Sequence, residues 1–260
     1  MGSGLAPRAA LEDVADLGPF FAVSANPAEE VDPTWTPWRE FYADPSVIAA
    51  RIDLVARALG TGDRRVAASI ALQGLAARLV SPILAVAPVH RLVPRWSPDS
   101  LHWRLAVSGP WPMWESPTDF PAADFPAADC RATDFRTAGH DDVVIARAVA
   151  GALVEPHLAA LVEVTRAAES VSGRVLRGNI ASAVAAAGAL VARARPAAAG
   201  TGSVIVSGLL ETPLLSGTGG FEAGWSFRRR SCCLYYRVPG GGTCGDCVLR
   251  QVPGQVPGRS

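Results

Sequence analysis

Four of the chain's five cysteines lie between positions 232 and 247 of a 260-residue sequence. They form an adjacent pair, Cys232 and Cys233, followed after ten residues by a Cys-x-x-Cys pair, Cys244 and Cys247. Thiolates this close in sequence can converge on one centre, and soft sulfur ligands select iron–sulfur clusters, zinc or copper(I). This tail therefore predicts metal or redox chemistry near the carboxyl end.

Spacing alone leaves the type of centre open. Structural zinc sites commonly use two Cys-x-x-Cys knuckles, which an adjacent cysteine pair does not match. A [2Fe–2S] cluster also takes four thiolates, with spacings that differ between families. Two disulfides would require an oxidising compartment. The segment 238–243, rich in Pro and Gly, predicts a turn that returns the chain to its first cysteine pair.

The composition of the chain excludes several other classes of function. Hydrophobic residues make up 49% and charged residues 18%, which is a globular balance. The formal net charge is zero and no nucleic-acid-binding motif is present, so no nucleic-acid partner is expected. All 24 basic residues are arginine, which excludes a Schiff-base or P-loop lysine. No G-x-G-x-x-G follows a predicted strand, so electrons must come from a separate donor.

The sequence gives no expectation of a membrane span or an export signal. Its best uninterrupted apolar run, 180–192, is mostly alanine and shorter than the roughly 20 residues that a span requires. The first residues lack the basic start and apolar stretch of a signal peptide. We therefore expect a cytoplasmic protein.

The pattern along the chain predicts an α+β fold: a mainly α-helical body with a few short strands and a C-terminal metal-binding loop, which the family resemblance given below makes an iron–sulfur-binding loop. The expected domains are a body over 1–222, a cluster-binding segment over 223–252 and a flexible tail over 253–260. Residues 1–45 are expected to form loops. The predicted helices are 45–59 capped by Asp44, 63–80 broken at Ser81-Pro82, 141–171 interrupted near Glu155-Pro156, and 174–195. The predicted strands are 101–107 and 203–210.

Several features are expected to be structural. FPAAD occurs twice in tandem over 120–129 and predicts a surface loop. Cys130 lies far from the other cysteines and is expected to be a free thiol. The four histidines show no metal-ligand spacing; they are His90, His102, His140 and His157.

The run RRSCCLYYRVPGGGTCGDCVL (229–249) resembles the C-terminal signature of the FhuF-like ferric-siderophore reductases, Cys-Cys-x10-Cys-x2-Cys. The segment 171–187 is similar to the part of that family around a Gly-Asn pair. Two positions depart from the family: relatives often have Trp where Arg177 stands and Pro where Val248 stands.

This resemblance implies a [2Fe–2S] enzyme, with Cys232, Cys233, Cys244 and Cys247 as the cluster ligands. It implies one-electron reduction of Fe(III) in hydroxamate-type siderophores, with release of Fe(II) in the cytoplasm. The electron donor would be a ferredoxin or a reductase. A peripheral position at the inner membrane, with transient contact to a siderophore transporter, is compatible with this role.

Four further residues are candidates for contact with the substrate. The arginines next to the cysteines could meet an anionic siderophore or an acidic donor protein, and would raise the cluster potential if they lie near the sulfurs. Asn179 could orient the substrate. These candidates are Arg228, Arg229, Arg230 and Asn179. The alternative function is a non-catalytic zinc-binding or siderophore-binding protein.

Overall fold

The computed structural model describes residues 7–115, 132–134 and 141–249. About 59% of the described residues are helical and the strands are short, as the sequence predicts for an α+β protein. The helices are α1 (Pro7–Val14), α2 (Trp38–Ala43), α3 (Pro45–Leu59), α4 (Arg64–His90), α5 (Asp142–Leu153), α6 (Ala160–Ala168), α7 (Gly173–Ala194) and α8 (Ala199–Leu210). The strands are β1 (Thr36–Pro37), β2 (Leu92–Pro94), β3 (Leu101–Trp103), β4 (Met113–Glu115), β5 (Ala132–Asp134), β6 (Gly219–Ala223) and β7 (Ser226–Arg229).

Helices α4 and α7 pack along each other and form the centre of the body. Both are rich in alanine, whose small side chain lets helices approach closely, and their buried leucine, isoleucine and valine side chains fill one core. Helices α3, α5, α6 and α8 surround this pair. The core therefore holds α7 rigidly, and α7 in turn positions the cysteine tail.

The predicted break at Ser81-Pro82 is wrong, because α4 continues through both Pro82 and Pro88. A proline inside a helix removes one hydrogen bond and crowds the preceding turn. Here the Ser81 hydroxyl donates to the carbonyl of Ala77 at 2.7 Å, and both prolines are buried. Packing on all sides of the helix outweighs the local cost.

Other helices form as their local signals predict. The Asp44 carboxylate caps α3 by accepting from the Ser46 amide, and Gly60 ends the helix at φ 60°, in the left-handed region that favours glycine. The predicted interruption near Glu155-Pro156 is a π-helical turn, Val154–Ala159, between α5 and α6. Helix α7 matches its predicted range.

The segment 203–210, predicted as a strand, lies inside helix α8. Its Val and Ile residues favour strands locally, but burial of Ile205, Val206 and Leu209 against neighbouring helices stabilises the helical form. The predicted loop over 1–45 also contains α1 and α2. Both corrections have one cause: tertiary packing overrides local preference.

In the described part of the chain, the strands form three small antiparallel sheets with the orders β1-β3-β4, β2-β5 and β6-β7. The strand predicted over 101–107 is confirmed for Leu101–Trp103. Hairpin β6–β7 pairs Gly219 with Arg229 and leads directly into the cysteines. The FPAAD duplication, Cys130 and His140 lie outside the described residues.

Among the described residues, three helical segments are long and apolar enough to cross a membrane by length and composition: Arg64–His90, Asp142–Ala168 and Gly173–Ala194. Uninterrupted apolar runs in the sequence do not predict these segments, because polar residues interrupt all three. In the fold, 78% of the apolar window of the first and 72% of that of the third are buried, against 39% for the second. Much of their apolar surface thus packs inside the body.

Candidate metal centre

Hairpin β6–β7 brings the cysteine tail onto the face of α7. The ring of Phe227 packs against Ala181 and Ala185 of that helix. Two residues later the chain reaches Arg229, and the cysteines follow. The small alanine side chains allow the hairpin to lie close to the helix.

The tail also approaches α7 at Gly178. A Cβ atom at this position would lie 2.2 Å from Ser231 Oγ and 3.5 Å from Ser231 Cβ. The Ser231 hydroxyl donates to the carbonyl of Arg174 at 3.1 Å. Only glycine at position 178 leaves room for this contact.

The two cysteine pairs meet, as the turn-prone segment 238–243 predicts. Cys233 Sγ and Cys244 Sγ are 3.5 Å apart, which is far longer than the roughly 2.05 Å of a disulfide bond. Two thiolates on one tetrahedral metal ion, each about 2.3 Å from it, lie about 3.8 Å apart. Cys232, Cys233, Cys244 and Cys247 are all free thiols. The distance excludes a disulfide and is compatible with two ligands of one metal centre.

A local curl lets adjacent cysteines face the same region. Leu234 has φ 68°, a left-handed conformation that is uncommon for a residue with a side chain. The Leu234 amide donates to Cys232 Sγ at 3.3 Å, and the Leu249 amide donates to Cys247 Sγ at the same distance. Backbone donors of this kind stabilise thiolates.

The pKa values agree with thiolate formation at Cys233. Its hydrogen bond with Cys244 is the main cause that lowers the pKa of Cys233 to about 6, and the charge of Arg229 contributes. The pKa of Cys244 is raised, mainly because of its hydrogen bond with Cys233. Burial raises the pKa of Cys232. These surroundings favour the thiolate at Cys233 and the thiol at Cys244.

Residues 229–249 match the family model described as the FhuF 2Fe-2S C-terminal domain. This segment is similar to the FhuF-type [2Fe–2S] domain and is called the FhuF-type domain below. Its cofactor is a [2Fe–2S] cluster, as the resemblance of the tail predicts. The match covers the cysteine tail and leaves the helical body unmatched; no curated protein matches the chain.

Arg229 is the buried charge of the FhuF-type domain. Its side chain is 0% exposed, and its Nε donates to Asp246 Oδ2 at 2.9 Å. Nη1 donates to the Asn179 side-chain oxygen at 2.7 Å. Nη2 is buried and finds no hydrogen-bond acceptor within the described part of the chain. Because a buried donor without a partner is costly, this atom fits a site that supplies further acceptors, as cluster sulfur atoms do.

Asn179 connects the FhuF-type domain with the helical body. Its Nδ2 donates to both the carbonyl and the hydroxyl oxygen of Ser69 in α4, each at 2.7 Å. The Ser69 hydroxyl donates to the carbonyl of Cys233 at 2.7 Å. Asn179 is fully buried. The predicted contact between Asn179 and the substrate would require its amide to break these hydrogen bonds with Ser69 and Arg229.

Asp246 lies between the predicted ligands Cys244 and Cys247 and faces α7. Burial would raise its pKa, but hydrogen bonds from Ser182 and Arg229 and the positive charge of Arg229 outweigh this, so its pKa is lowered. The sequence analysis missed Asp246, Ser69 and Ser182. The position of Asp246 inside the cysteine motif was the one available signal.

The other predicted arginines lie at the surface. Arg228 pairs with Glu222 at 2.6 Å and donates to the carbonyl of Cys247 at 2.8 Å. Arg230 is exposed, and its carbonyl accepts from Arg174 at 3.1 Å. The three consecutive arginines thus have different surroundings, and the buried one lies at the centre of the polar network.

The four free thiols of the tail are a donor set that a [2Fe–2S] cluster accepts. Among the described residues, no three cysteine, histidine or acidic side chains converge on a single ion site. A [2Fe–2S] cluster divides four thiolates between two irons, so one close pair and two further thiols are compatible with it. Cys232, Cys233, Cys244 and Cys247 are the residues that would hold it.

Proposed function

We propose that this protein is a ferric-siderophore reductase that uses its [2Fe–2S] cluster for one-electron reduction of Fe(III) in hydroxamate-type siderophores. The observation that carries the proposal is the FhuF-type match over the four free thiols. Hard oxygen donors bind Fe(III) far more strongly than Fe(II), so reduction amounts to release. We further propose that release occurs in the cytoplasm.

When bound, the [2Fe–2S] cluster supplies one-electron transfer, so Fe(III) gains one electron that an external donor then replaces. Arg229 provides a fixed positive charge beside the thiolates, which favours the more negative, reduced state. Cys233 and Cys247 are buried, whereas Cys232 and Cys244 are partly exposed. The chain therefore shields one side of the centre and leaves the other accessible to partners.

The proposed partners are a ferric siderophore and an external electron donor such as a ferredoxin or a reductase. A peripheral position at the inner membrane, with transient contact to a siderophore transporter, belongs to the same proposal. Fractionation of cells into soluble, salt-released and membrane-integral protein tests the location. Recovery with the detergent-requiring fraction would contradict it.

Two measurements test the function itself. Protein purified without oxygen should be red-brown, should bleach with dithionite and should give an EPR signal on reduction. With a reducing partner and a ferric trihydroxamate, a ferrous chelator should then trap Fe(II). The same protein without cluster serves as the control.

Other outcomes would select the alternative function. A colourless protein with one equivalent of zinc, which cannot be reconstituted with iron and sulfide, would mark a zinc-binding protein. A cluster-containing protein that binds a ferric siderophore but never releases Fe(II) would mark a siderophore-binding role. Either result would overturn the reductase proposal.

A further inference from the structure

A groove of about 390 Å³ runs along α7 beside the cluster ligands. The residues that line it include Ala186 of α7, Trp225 of the hairpin and Gln73 of α4. Cys244 and Asp246 of the cysteine tail also line it. Small-molecule sites commonly have volumes of about 300–1,000 Å³. A larger groove of about 540 Å³ between α5 and α8 has no cysteine among its lining residues.

We propose that the groove beside Cys244, named here the α7 groove, binds the ferric substrate. This inference rests on the proposed function and adds a location to it, while the preference for an iron centre without net charge is that of the hydroxamate class already proposed. It follows from three properties of the groove: its position, its charge and the fixed orientation of Trp225.

The position places an occupant directly against a cluster ligand. Cys244 is the one cysteine among the groove's lining residues, and it is partly exposed. Asp246, two residues further on, is held to α7 by Ser182, which also lines the groove. An iron complex in this groove would therefore contact the same loop that holds the cluster, which keeps the electron path short.

The charge of the groove favours a neutral guest. No arginine is among its lining residues, and its one carboxylate, Asp246, is neutralised by Arg229 at 2.9 Å. Three singly charged hydroxamates neutralise Fe(III), whereas three doubly charged catecholates leave three negative charges. A triply negative complex would meet no compensating cation here, and desolvating it would be costly. Reduction adds one negative charge to the neutral complex, so the groove should bind the reduced product more weakly than the ferric complex.

The Trp225 side chain is held in one orientation by the helix behind it. A Cβ atom at Gly188 would lie 2.7 Å from Trp225 Cζ3, so the indole lies directly on the backbone of α7. Phe221 contacts the same indole edge-on, with ring centroids 5.9 Å apart. A fixed aromatic face beside small alanines gives an apolar surface without the entropic cost of ordering flexible side chains.

Substitution at Ala186 tests the location. This alanine is exposed on α7, so Ala186→Trp fills the groove without disturbing the core. The oxidised, cluster-containing protein is titrated calorimetrically with a Ga(III) trihydroxamate, which has the charge of the Fe(III) complex but is not reduced. We expect Ala186→Trp to weaken binding at least about tenfold. Its visible spectrum and midpoint potential should equal those of the unmodified protein.

Ala194→Trp is the matched control, because Ala194 is also exposed on α7 but is not a lining residue of the groove. We expect it to bind the Ga(III) complex as the unmodified protein does. Equal affinities for Ala186→Trp and the unmodified protein would overturn the location while leaving the reductase proposal intact. Failure of the unmodified protein to bind or reduce any ferric trihydroxamate would instead overturn the function.

A charge substitution tests the selectivity. Ala186→Arg adds a cation to the groove, and we expect it to strengthen binding of a triply negative Ga(III) tris-catecholate at least about tenfold relative to the trihydroxamate. In the unmodified protein, the trihydroxamate should bind more tightly than the tris-catecholate. Equal affinity for both complexes in the unmodified protein would overturn the charge selectivity.

Discussion

The helical body and the cysteine tail are stabilised by different interactions. Helices α4 and α7 bury alanine, leucine and valine side chains against one another. In the described residues after β7, by contrast, only Ser231, Cys233, Val238 and Cys247 are buried. The tail is held by polar bonds from Ser69, Asn179 and Arg229 instead. Changes to one region should therefore leave the other largely intact, and this expectation can be tested.

The largest effect should follow from loss of a ligand. Cys244→Ser removes a thiolate from the close pair, so we expect loss or a strong shift of the cluster's visible and EPR signals, with helical circular dichroism retained. Cys130→Ser is the control and should leave the signals unchanged. Bleaching by Cys130→Ser would show that the assignment of ligands is wrong.

The second effect concerns the buried charge pair. Arg229→Gln leaves Asp246 unpaired, and removing one partner of a buried ion pair costs about 3–5 kcal/mol. We expect the cluster to be lost on heating well before the helices unfold. Where the cluster is retained, its midpoint potential should fall by about 60 mV, which is a tenfold change for one electron. Visible absorption, circular dichroism and redox titration measure these quantities.

Arg230→Gln provides the matched control, because Arg230 is the exposed neighbour. We expect no change in the temperature of cluster loss and a smaller change in potential. Equal changes for both variants would show that burial of Arg229 has no special role.

The close approach of α7 and the tail gives a third test. Gly178→Ala introduces a Cβ 2.2 Å from Ser231 Oγ, and overpacking of this kind costs up to about 3 kcal/mol. Ser231→Ala should relieve most of the cost in the double variant, because Ser231 Cβ is 3.5 Å away. Denaturant unfolding followed by cluster absorption measures the difference.

Gly74 offers the matched glycine in the body, since a Cβ there meets nothing within 4 Å. Gly74→Ala should leave stability unchanged or raise it by up to about 1 kcal/mol, because alanine favours helices. A double variant no more stable than Gly178→Ala alone would contradict the proposed contact.

The smallest effect lies in the body and depends on pH. Burial lowers the pKa of His157 from 6.5 to about 4, and its Nδ1 lies 2.9 Å from the Tyr42 hydroxyl. In the unfolded chain His157 is protonated below about pH 6.5, whereas in the folded protein it stays neutral down to about pH 4. The contribution of neutral His157 to the free energy of unfolding is therefore fully present above pH 6.5. It is lost as the pH falls towards 4, with a loss of about 2 kcal/mol at pH 5.

His157→Gln should reduce this pH dependence between pH 7.5 and 5, measured by denaturant unfolding followed by helical circular dichroism. The control is the unmodified protein at the same two pH values. An unchanged pH dependence in the variant would show that His157 is not the responsible group.

The meeting of the two cysteine pairs was predictable from the sequence because all four cysteines are close in the chain and their spacing is specific. The turn over 238–243 and the caps at Asp44 and Gly60 were predictable for the same local reason. The network around Arg229 was not, since Ser69 and Asn179 are 110 positions apart and meet only when α4 and α7 pack.

Two errors in the fold have a related origin. Pro82 predicts a break, and the Val-rich stretch 203–210 predicts a strand, because both signals are local. In the fold, burial on several sides stabilises a helix in each case. Arg78 illustrates the same difficulty: it is 2% exposed and donates to the carbonyls of Phe20, Ala22 and Trp111, although nothing in the sequence marks it as buried.

Ser182 of helix α7 hydrogen-bonds to Asp246 of the cysteine tail and also lines the α7 groove. The cluster and a bound ferric complex would therefore both rest on α7, so this helix would set the distance between them. Substitutions on the exposed face of α7 would then change the size of the α7 groove, and with it the siderophores that fit, while the position of the cluster stays the same.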